Sequence, residues 1–75
     1  PHLAARLRQR VSPREADVAL QALLRRNNFA PVDRLELFAE IASHFQTIVK
    51  FPQEAADGIT DEQYVRNVVD VLFRG

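Results

Sequence analysis

Cysteine, methionine and tryptophan are absent from this 75-residue chain, and glycine occurs only at Gly58 and Gly75. Without cysteine there is neither a disulfide framework nor a thiolate metal site to staple a small fold. With two glycines there is no glycine-rich loop to cradle a phosphate. No apolar run nears the roughly 18 residues that a membrane span requires. Residues 1–10 are basic rather than apolar, which excludes a signal-peptide pattern. Side chains able to carry covalent chemistry are few: Ser12, Ser43, Thr47, Thr60 and Tyr64, with His2 and His44. That set is too thin for a nucleophile, a base and an orienting group, so the expectation is no enzyme and no cofactor.

The fold must therefore come from apolar burial. Apolar residues make up 47% of the chain, with five Phe and one Tyr, enough for a core. A chain of this length makes one domain, and it hides only about 60–65% of its unfolded surface. The lack of a Met and the start at Pro1 lead us to expect a single helical domain, 1–75, belonging to a longer protein. Nine of the ten basic residues are Arg and Ala is abundant, a bias of GC-rich coding that suggests a bacterial source.

Two local signals set the architecture. In Ser12-Pro13-Arg14-Glu15, Ser stands at a helix N-cap, Pro at the first helical position and Glu at the third. Thr60-Asp61-Glu62-Gln63 repeats the logic with Thr and Gln. In both, the hydroxyl is placed to accept from an orphan backbone N–H, and the Glu or Gln to reach back to the cap's own N–H. After Ser12, the apolar stripe is Ala16, Ala19, Leu20, Leu23 and Leu24. After Pro31 it is Leu35, Phe38, Ala42, Phe45 and Val49, widened by Leu37, Ile41 and Ile48. After Thr60 it is Val65, Val68, Val69 and Leu72, flanked by Tyr64, Val71 and Phe73. All follow the helical period. The expected fold is an all-α bundle of three to four helices, at about 2–10, 13–26, 31–50 and 61–74.

Several details follow. The third helix has the broadest apolar arc and is expected at the centre. Asn27-Asn28 is read as a left-handed stop of the second helix. Residues 53–57 are read as a single turn ending at Gly58, with Ile59 stapled onto Tyr64. Glu62, Arg66, Asp70 and Arg74 fall at i, i+4 steps and read as a solvated line. Residues 1–11 read as a peripheral basic helix or linker.

Three constellations invite a chemical reading. Glu36, Glu40 and His44 lie on one line of the third helix, but a closed metal site needs more ligands than this trio supplies. A solvated face, with His44 partnering Glu40, is the simpler reading. Residues 57–62 hold an Asp-Gly pair at the spacing of a calcium loop. Two early oxygen ligands and the bidentate Glu are missing, so a helix stop and start explains the segment. Asp33-Arg34-Leu35, ahead of a long helix, resembles the Asp-Ser-Leu start of the second helix in acyl carrier domains, with Thr60 onward matching their last helix. Arg34 stands where those domains carry the serine that holds a phosphopantetheine arm. The resemblance thus implies no loaded arm, and shared helix-bundle spacing accounts for it.

Charge supplies the remaining clue. Net charge is zero, but the first 26 residues hold six arginines against Glu15 and Asp17, a net of +4. The remainder holds four cations against eight acids, a net of −4. Such polarity orients partners or self-association. The expected function is a non-catalytic helical protein–protein interaction domain, an adaptor, oligomerisation or regulatory unit, working in the cytoplasm. The expected contacts are Leu3, Arg6, Leu7, Arg10 and Arg14 on the basic side and Glu36 and Glu40 on the acidic side. Two alternatives stand beside it. One is a cytoplasmic regulatory segment of a membrane protein, reaching the membrane only through an adjacent segment. The other is nucleic-acid binding through the Arg-rich arm, which a pI near 7.3 disfavours.

Overall fold

The computed structural model describes residues 2–48 and 58–73, with side chains from Ala5 onward. These residues form four α-helices, α1 (His2–Arg10), α2 (Pro13–Leu24), α3 (Pro31–Ile48) and α4 (Asp61–Phe73), and no strand. A 3-10 turn, Arg26–Asn28, links α2 to α3. The all-α bundle expected from the apolar periodicity is the architecture found.

The starts of α2 and α4 follow their capping residues. Ser12 Oγ accepts from the Glu15 N–H at 3.1 Å, and the Ser12 N–H donates to Glu15 Oε1 at 2.9 Å, a complete reciprocal box. At α4 only half of the box forms. Thr60 Oγ1 accepts from the Gln63 N–H at 3.1 Å, while the Gln63 amide donates forward to Asn67 Oδ1 at 2.9 Å. Gly58 has φ +76°, a left-handed conformation that favours glycine. The turn expected at 53–57 lies outside the described residues.

The end of α2 differs from expectation. The helix stops at Leu24, two residues early, and continues as the 3-10 turn. No described non-glycine residue has positive φ, so Asn27 and Asn28 do not act as a left-handed cap. Instead Arg26 Nη1 donates to the Leu23 carbonyl at 2.7 Å, which satisfies one of the helix's last acceptors.

The hub of the bundle is α4, not α3. It packs against each of the other helices, whereas α2 and α3 barely meet one another. Tyr64, Val65, Val68 and Val69 are all buried, over an arc of about 140° at the helical period. Opposite them α2 presents Leu23 and three alanines, Ala16, Ala19 and Ala22, whose small side chains allow a close approach. The inward face of α2 is thus turned toward Ala22. Leu24 lies about 130° round from its centre and is exposed. From α3 come Phe38, Ala42 and Phe45. Leu35, one turn earlier, stands out at 73% exposure at the end of the bundle where α4 is only starting.

The N-terminal segment belongs to this core. Leu7 is 1% exposed and Val11 is buried beside it, with α1 packed on α4. Arg8 Nη2 also donates to the Val71 carbonyl at 3.3 Å. Residues 5–11, expected as a peripheral basic helix or linker, are therefore helical through Arg10 and docked on α4.

Candidate functional site

Because α2 and α3 each lean on α4 and hardly on each other, a groove of about 380 Å³ opens between them. Its walls are Val18 and Ala19 from α2 and Leu37, Ile41 and Phe45 from α3. Its polar rim is Arg14 and Glu15 on one side and Glu40 and His44 on the other. The helical period explains the composition. On α3, Leu37 and Ile41 lie about 60–100° round from Phe38, on the flank of its broad apolar arc. Both are only half-buried. On α2, Val18 is 55% exposed beside the buried Ala19.

One polar bridge crosses the foot of the groove. His44 Nε2 meets Glu15 Oε2, joining α3 to the first turn of α2. The partner expected for His44 was Glu40, one turn away on the same helix; the cross-helix carboxylate takes that place. Glu15 thereby serves the Ser12 N–H and His44 together. The Ser12 backbone bond and then the His44 bond hold its carboxyl down at about 2, well below the ordinary carboxylate range.

A second ion pair closes the far end of the bundle. Arg34 donates from Nε to Glu62 Oε1 at 2.6 Å and from Nη2 to Glu62 Oε2 at 2.8 Å, a bidentate fork. Arg34 Nη1 also reaches Asn27 Oδ1 at 3.5 Å. The first turns of α3 and α4 are tied together in this way. Glu62 therefore leaves the solvated line expected of it. The Arg34 bond lowers the Glu62 carboxyl, and the Glu62 bond in turn raises the Arg34 guanidinium.

The residues expected to touch a partner divide into three groups. Arg14 and Glu40 come together on the rim of the α2–α3 groove, and Glu36 is exposed one turn before Glu40. Arg6 and Arg10 are exposed on α1, away from the groove lining. Leu7 is a correction: its side chain is in the core against α4, so it offers no free docking face. The side chain of Leu3 lies outside those described. Val18, the most exposed wall of the groove, was missed. Its only signal was an apolar residue beside the solvated line Asp17, Gln21 and Arg25.

Among the described residues no group of three acidic or histidine side chains gathers as a metal site would need. None of the described helices is long and apolar enough to cross a membrane. In comparisons with known proteins, no family model, no curated protein and no solved structure matches the chain.

Proposed function

We propose that this chain is a non-catalytic helical interaction domain of a larger, cytoplasmic bacterial protein, and that it works by holding a helix of another protein in the α2–α3 groove. The observation that carries this reading is the groove itself: apolar walls from two helices, partly open, with charged residues along the rim. Helix-in-groove recognition uses such a surface, with apolar anchors spaced by turns of the incoming helix. The lack of cysteine allows a reducing compartment.

Val18 supplies the test, because an exposed valine is replaceable without disturbing the core. The intact chain, Val18→Asp and Arg66→Asp, a change on the exposed outer face of α4, are each used to capture a partner from cells of the source organism. The expected result is one protein retained by the intact chain and by Arg66→Asp and lost by Val18→Asp, with equal helical circular dichroism in all three. Equal retention by Val18→Asp refutes the reading.

A second reading rests on α1 and the first turn of α2. Arg6, Arg10 and Arg14 are exposed and none forms an ion pair among the described residues. Three free guanidinium groups suit phosphate contacts, whose strength falls steeply with salt. Mixed-sequence DNA is expected to bind at low salt and to be released when the three become Ala. No binding at low salt removes this reading.

A further inference from the structure

We infer that the helix taken up by the α2–α3 groove is a cationic amphipathic one, whose basic edge lies along Glu36 and Glu40; this rests on the groove reading above. The two glutamates sit one turn apart on the exposed edge of α3 and repel one another. Neither has an ion-pair partner among the described residues. Among the described residues, two cations near them in sequence are engaged elsewhere: Arg34 holds Glu62, and Arg26 caps the Leu23 carbonyl. The remaining acid of the rim, Glu15, is already satisfied by the Ser12 N–H and His44. The unmet negative charge is thus concentrated along the α3 edge, next to the apolar wall of Leu37 and Ile41. Arg14 marks the opposite edge, so the incoming helix carries its basic residues on the α3 side alone. A second copy of this chain does not supply that helix. Its basic helix, α1, keeps Leu7 buried against α4 and, among its described side chains, has no other large apolar one to give.

The test uses three fluorescent peptides of about 18 residues, matching the roughly 27 Å length of α3. They share one leucine stripe and differ in carrying Lys, Gln or Glu beside it. Fluorescence anisotropy with the full chain is expected to rank Lys over Gln over Glu. The Lys peptide should bind at least about tenfold tighter than the Gln peptide at low ionic strength, with the gap closing as salt is added. Glu36→Gln with Glu40→Gln should bring the Lys peptide to the level of the Gln peptide. Asp70→Asn, on the outer face of α4, should change nothing, and Val18→Asp should abolish binding of all three. Binding of all three peptides with equal affinity, or a Lys advantage that survives the double Gln variant, overturns the charge assignment and leaves the groove reading standing. No binding by any peptide overturns both. A concentration-dependent dimer in light scattering that Val18→Asp abolishes gives the groove to a second copy and overturns the inference.

Discussion

Tyr64 is the only tyrosine in the chain and is 4% exposed on α4, so one absorbance signal reports on the packing of the central helix. Burial disfavours the phenolate and pushes the hydroxyl from its ordinary 10.0 up to about 12. The folded chain therefore holds the phenolic proton more tightly than the unfolded chain does. Stability from this group is complete below pH 10.0 and is lost as pH rises toward about 12. At about 1.4 kcal/mol for each tenfold change in proton affinity, the difference is worth about 3 kcal/mol. A domain of this length holds only about 4–11 kcal/mol in all, so the loss is large enough to see. The assay follows tyrosinate absorbance and helical circular dichroism together as pH is raised, with and without urea. In urea the phenol should titrate near its ordinary value. In native buffer its step should come later and coincide with loss of helix. Tyr64→Phe should keep its helical signal to higher pH than the intact chain. Titration near the ordinary value with the helical signal unchanged would show a solvent-reached phenol and refute the packing of α4 described above.

Three further predictions test the elements around α4. Leu7→Ala should cost about 2–5 kcal/mol in urea unfolding because it empties a core site, whereas Leu35→Asp, at an exposed position, should stay within about 0.5 kcal/mol. Equal effects would return Leu7 to the surface. At low pH the Glu15 contribution is present above its ordinary value of 4.5 and is lost as pH falls toward about 2. Glu15→Gln should therefore flatten the pH dependence of the urea midpoint over that range, and an unchanged slope would refute the double role of Glu15. Ser12→Ala should lower stability by about 0.5–2 kcal/mol through loss of the cap.

The parts of this structure that were legible in the sequence are those decided within one helical turn. Ser12, Pro13 and Glu15 set the start of α2 because a cap, its proline and its returning carboxylate are all local. Thr60 does the same for α4, and Gly58 takes the left-handed conformation expected of it. The polar pairs were not legible, because each joins residues far apart in the chain. Arg34 and Glu62 are 28 residues apart, and Glu15 and His44 are 29 apart. Helical spacing offered each of the last three residues a neighbour on its own helix. For Glu62 and His44 a partner on another helix took the place of the local one, and Glu15 kept Ser12 and added His44, because interhelical distance is set by core volume and leaves no periodic trace. Arg14 and Glu40 were named from charge alone, and the fold brings both to one groove. Leu7 was named from an amphipathic pattern that is equally the pattern of a core helix.

The misplaced centre of the bundle shows what an apolar arc measures. Breadth counts the surface a helix has available to cover, not the surface that its neighbours reach. In α4 the two agree, since three helices share its arc and Val65 is fully buried. In α3 they do not. Phe38, Ala42 and Phe45 meet the core, while Leu37 and Ile41 on the flank remain half-covered because α2 stands off. The stand-off follows from composition: Ala16, Ala19 and Ala22 draw α2 onto α4 and are too short to fill the space toward α3. Extra volume at Ala19 would fill that space from within. Ala19→Leu should therefore close the groove and block the Lys-edged peptide, while leaving Glu36 and Glu40 in place. Undiminished binding in that variant would mean that the peptide is held by surface charge and not by the cleft between the helices.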